Sequence, residues 1–190
     1  MPFASNEPEY DLASLFDHEL AVNRYITPAV FRLARTRKDW ANGRRSLAVR
    51  FVPAVEATPV QTSVNLTWNL RGIEPESRYN DLRGELRKLS KTLNDTQLTE
   101  NAALGVAFAL VAVLSPDDEI TEVVQVGGRG DYYLNRRRDE MIEVSGVGKG
   151  DLTERFAGKT KQVLANAALT RAFVCIIGFD PAAARLERVR

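Results

Sequence analysis

The chain has 190 residues, 44% hydrophobic and 27% charged, with 26 basic side chains against 25 acidic ones and a formal net charge of +1. That mixture suits one well-buried core and is too apolar for a disordered chain; its charge is too balanced to argue by itself for nucleic acid. One histidine and one cysteine exclude a His/Cys zinc site and an intrachain disulfide, which leaves carboxylates and hard cations such as magnesium or manganese.

The first residues, MPFASNEPEYD, are acidic and carry no apolar run, so no signal peptide is read there. Over 11–26, Leu12, Leu15, Phe16, Leu20, Val22 and Ile26 recur at mostly helical spacing. Thr27-Pro28 marks the start of a second helix, predicted to reach about Ala41 before Asn42-Gly43. Ser46–Val52 reads as a strand. In Val64–Leu70, apolar Val64, Leu66, Trp68 and Leu70 alternate with polar residues; the turn-rich segment between the two runs predicts a hairpin. Tyr79, Leu82, Leu86, Leu89 and Leu93 predict a helix over 78–93, with Asn94-Asp95 ending it and capping the next. Residues 97–114 are apolar almost all round, the mark of a helix in the middle of a fold; the apolar stretch Ala102–Leu114 is short of the roughly 20 residues of a membrane span. Three strands follow at 122–126, 131–134 and 141–145, then a helix over 152–169 and a fully apolar strand over 172–179. Cys175 in that strand reads as a buried thiol of a reducing, cytoplasmic compartment. The expected class is α+β: residues 96–190 form a core, and residues 1–95 are helices, a β-hairpin and a helix packed on it.

Two acids stand out. Glu143 sits inside Met141-Ile142-Glu143-Val144-Ser145, where alternation turns it away from Ile142 and Val144. A carboxylate in a central strand is costly unless it is paired or holds a cation. If 131–145 is a hairpin around Arg136-Arg137-Arg138, Asp131 and Glu143 come within roughly 4.5–5.5 Å at Cβ, close enough to share a divalent ion. Plainer readings stand beside this one. Asp131 follows a glycine turn, Glu100 lies in a helix first turn where a carboxylate is favourable anyway, and an arginine run is often a solvated turn. Gly146–Gly150 lacks the spacing of a phosphate loop, and Trp40 and Trp68 read as packing residues.

The segment Gly130-Asp131-Tyr132-Tyr133-Leu134, a short turn and Ile142-Glu143-Val144-Ser145-Gly146 resembles the PD-(D/E)xK motif of restriction-endonuclease-like nucleases. That family's order of helix, three strands, helix and strand is similar to residues 97–179. The resemblance implies magnesium- or manganese-dependent hydrolysis of nucleic acid, DNA ahead of RNA. Asp131, Glu143, the Val144 carbonyl and Glu100 would be metal ligands; Asp131, Glu143 and Ser145 would be catalytic. Where the family carries its lysine this chain has Ser145, which can donate a hydrogen bond but brings no charge. Lys149, Lys159 and Lys161 are the candidates to restore it. Lys161 is the catalytic choice; Lys149, Lys159, Gln162 and Arg136, Arg137 and Arg138 are nucleic-acid contacts. The other reading is a core that keeps the shape without the activity: an assembly subunit that self-associates or binds a partner protein through the 64–70 strand and the 78–93 helix. Neither reading involves a membrane.

Overall fold

The computed structural model describes residues 7–18, 22–73, 76–123 and 132–190. β1 (Glu9–Asp11) leads into a 3-10 turn, Leu12–Asp17; a second, Val22–Tyr25, runs into α1 (Ile26–Leu33). β2 (Asn42–Val52) and β3 (Val60–Asn69) pair antiparallel, with Leu47 opposite Val64. After α2 (Glu76–Thr92) and α3 (Asp95–Leu114) come β4 (Ile120–Val123), β5 (Tyr132–Leu134) and β6 (Arg137–Val147). Then α4 (Thr153–Leu164), β7 (Arg171–Phe179) and β8 (Ala182–Arg188) complete the chain. The eight strands form one mixed sheet in the order β1-β3-β2-β8-β7-β6-β5-β4.

Period-two alternation decides the layering. In β7, Phe173, Cys175, Ile177 and Phe179 face the main core, built with α1, α2 and α3. Ala172, Val174 and Ile176 face a smaller core under α4, with Leu152, Phe156 and Val163. A strand buried on both sides must read as an unbroken apolar run, and it does. β6 lies beside it in parallel, Glu143 opposite Val174, while β5 and β4 continue antiparallel. α3 is long and apolar enough to cross a membrane by length and composition, but most of it is buried. It packs on β6, β7 and α1. Asn94 caps it by accepting the Gln97 N–H at 2.8 Å.

Several elements depart from the expectations. Leu12 and Leu15 reach the core from a 3-10 turn rather than an α-helix, and both are fully buried that way; Leu20 lies outside the described residues. α1 stops at Leu33, where Ala34 is extended; Thr36 and Asp39 then form a capping box that starts a separate turn, Arg37–Trp40. β8 carries too few strand formers to be expected. Its Ala48–Val52 partners in β2 run parallel and it also pairs with β7, so it joins the N-terminal hairpin to the C-terminal strands in one sheet. The 64–70 strand, which the assembly reading offers to a partner, is paired on both sides, with β2 and with β1. β1 pairs with Asn65–Thr67, and Val64, Leu66 and Trp68 are buried. The Trp68 indole donates to the Asp39 carbonyl at 2.7 Å and lies over Gly43, where any Cβ would collide with the ring.

Candidate active site

The carboxyl end of β6 opens into a cleft of about 790 Å³ between the first turns of α3 and one face of α4. Glu143 and Ser145 share the strand face opposite Ile142 and Val144, and both are buried. Glu143 is 1% exposed. Its Oε1 accepts hydrogen bonds from the Lys159 ammonium and, at 3.4 Å, from Gln162 Nε2. Lys159 and Gln162 stand three apart on α4, so they share one helix face over the strand.

Glu100 comes from the second turn of α3. Its Oε1 accepts from the Ser145 hydroxyl at 3.0 Å and from Arg155 at 2.6 Å, and its Oε2 from the Gly146 N–H at 2.8 Å. Arg155 also donates from Nε to the Ser145 oxygen at 2.8 Å. This approach depends on Gly146: an added Cβ would lie 2.5 Å from the Thr99 carbonyl oxygen, so only glycine lets α3 press on the strand there. Two carboxylates and two cations are thus interleaved, with Ser145 wired to both Glu100 and Arg155. Such charge-assisted bonds are stronger than neutral ones, and Glu143, away from water, is held by its partners.

The expected residues divide by place. Glu100, Glu143, Ser145, Lys159 and Gln162 converge. Lys161 lies exposed on α4 and does not line the cleft; Lys149 is exposed in the loop before α4. The Val144 side chain points into the main core; the expected ligand is its carbonyl, a backbone group of β6. The arginine run occupies the far end of β6, roughly 20 Å from Glu143 along the strand. Asn135 and Arg136 form the two-residue turn, both at positive φ, and Arg137 already belongs to β6, paired with Asp139 at 3.2 Å and Glu140 at 3.0 Å. Asp131 lies outside the described residues. Arg155 had not been singled out. The signal for it was its place one turn before Lys159 on the helix following Glu143, visible only once that helix is laid against the strand.

Glu100 and Glu143 each already hold a cation of the protein, Arg155 and Lys159. Glu100 and Glu143 offer carboxylate oxygens alone, and magnesium is commonly held by one or two carboxylates with water and substrate phosphate filling the rest. Among the described residues no three His, Cys, Asp or Glu side chains gather into a ligand cluster. Asp95, Glu100, Asp151 and Glu154 line the cleft, and Glu143 is buried beside it under Lys159 and Gln162, which do line it. Set against family models, characterised proteins and solved structures, the chain matches none.

Proposed function

We propose that this protein is a divalent-cation-dependent nuclease with a restriction-endonuclease-like core, hydrolysing phosphodiesters of nucleic acid, DNA ahead of RNA, in the cleft above β6. One observation carries the reading: a buried strand carboxylate, Glu143, meets a lysine and a glutamine from the next helix at an open cleft that a second carboxylate, Glu100, also lines. The order α3, β4, β5, β6, α4, β7, antiparallel through the first three strands and parallel across α4, supports it.

Ser145 then gives up no charge. Lys159 brings a compact ammonium to Glu143 from α4, and Arg155 brings a planar guanidinium to the Ser145 hydroxyl. Either cation can take a phosphate oxygen in a charge-assisted hydrogen bond. The Gly146 amide and the Ser145 hydroxyl fix both oxygens of Glu100, and Gln162 orients Glu143. Magnesium or manganese held by these acids would polarise the phosphodiester and supply hydroxide at neutral pH.

The second reading, a non-catalytic assembly protein, draws on the same ion pairs: both acids already hold a cation of the protein itself. The test is a cleavage assay on single- and double-stranded DNA and RNA with magnesium, manganese or EDTA. Cleavage that needs the metal and disappears in Glu143→Ala and Asp131→Ala is expected. No cleavage on any substrate, with a higher-order species in solution, favours the assembly reading.

A further inference from the structure

A second concentration of charge lies away from β6. Between residues 24 and 91 the chain carries fourteen Lys and Arg against six Asp and Glu, although the whole is nearly neutral. Such asymmetry within one chain is the electrostatic footprint of a polyanion partner. The fold gathers part of it. The turn Arg37–Trp40, the 3-10 turn Leu70–Gly72 and α2 meet around a hollow of about 190 Å³, lined by Arg37, Lys38, Trp40, Arg71 and Arg83.

All four cations are exposed, and among the described residues none forms a salt bridge. Four like charges around one concavity repel each other, which an anion in the hollow would relieve. The acids nearby are engaged elsewhere. Asp39 accepts the Thr36 N–H at 2.9 Å and its hydroxyl at 3.0 Å, and Glu85 accepts the Thr27 hydroxyl at 3.2 Å. The Arg37 guanidinium lies over the Trp40 ring, 5.7 Å from its centroid, so part of the arrangement is fixed in advance.

The hollow also lies near the cleft along the chain. Arg32, in the last turn of α1, bonds Asp95 at 2.6 Å, and Asp95 lines the cleft. Arg37, the first cation of the hollow, follows Arg32 by five residues, at most about 18 Å of chain.

We infer that this hollow is a clamp for the sugar–phosphate backbone of a nucleic acid, made by Arg37, Lys38, Arg71 and Arg83 outside the cleft. The inference rests on the nuclease reading for the kind of polymer expected, and its test scores binding and cutting separately. Fluorescence anisotropy of the full chain with a labelled DNA duplex of about 20 base pairs, in EDTA, reads binding without cleavage. Replacing Arg37, Arg71 and Arg83 together by Gln is expected to raise Kd at least tenfold near 0.1 M salt. It should also lower the slope of log affinity against log salt by about three, since each phosphate contact contributes about 0.9. Should the triple variant melt early, Arg71→Gln and Arg83→Gln singly are each expected to lower the slope by about one. Unchanged affinity and slope in these variants would overturn the clamp; so would a wild type that binds neither DNA nor RNA, or one that binds only vesicles containing phosphatidylserine. Binding that follows the prediction without any cleavage keeps the clamp and removes the nuclease reading.

Discussion

The two ends of β6 use the same chemistry for opposite purposes. At its start, Arg171 donates to both oxygens of Asp118 and, at 3.3 Å, to Glu140; Asn135 bonds Asp118 at 2.9 Å and Glu140 at 3.1 Å, and Ser115 bonds Asp118 at 2.6 Å. The two acids are buried, Arg171 lies 5.1 Å from the Phe173 ring, and the hollow beside them has no room for water. At the other end, Glu143 is as deeply buried, yet its partners Lys159 and Gln162 line an open cleft. A carboxylate–guanidinium network with no cavity beside its acids fixes strand geometry; an ion pair at an open cleft leaves its cation able to exchange partners. Arg171 and Lys159 are about equally exposed, at 23% and 22%, so the difference lies in the cleft that only Lys159 lines.

The comparison can be strained first at the Arg171 end. Arg171→Ala leaves buried Asp118 without its cation and takes from Glu140 one of its two, the other being Arg137; a loss of about 3–5 kcal/mol is expected in denaturant unfolding. Lys159→Met strands only Glu143, and water in the cleft softens the cost; a loss of about 2–3 kcal/mol is expected, with cleavage abolished. Acid should act at the Arg171 end as well. Burial opposes ionisation of Asp118, but hydrogen bonds from Arg171, Ser115 and Asn135 outweigh it and hold its carboxyl below the usual range. Asp139, bonded by Arg137 and Thr170, is held at about 2. Both groups take up protons less readily folded than unfolded, so their stabilisation is complete above the unfolded value near 4 and is lost as pH falls through the folded one. Unfolding free energy should therefore drop between about pH 4 and pH 2, and more shallowly in Asp118→Asn. Smallest of all, Lys161→Ala on the exposed face of α4 should change stability by less than about 0.5 kcal/mol and leave cleavage unaltered.

Much of this was legible in residues whose pattern is local. The unbroken run of β7, the all-round apolar α3 and the alternation in Met141–Ser145 each state their burial directly, and Glu143 stands out against that alternation. What was not legible depends on tertiary neighbours. Lys159 and Lys161 differ by two positions on one helix, and only the docking of α4 on β6 and β7 decides which reaches Glu143. Arg155 gains its meaning from Ser145 and Glu100, which are 10 and 55 residues away. β8 is defined by its partners β2 and β7 rather than by its own weak pattern. The positive φ of Arg136 moved the arginine run out of a loop and into a tight turn and strand.

The central claim is that the Glu143–Lys159 pair serves chemistry rather than stability. Replacing a buried ion pair by neutral groups of similar size is often harmless to folding. The double variant Glu143→Gln with Lys159→Met should therefore melt at or above the wild-type temperature. In a magnesium-dependent DNA cleavage assay, wild type should cut and this folded variant should not. Equal cutting by both, or a wild type that cuts nothing, would contradict the account.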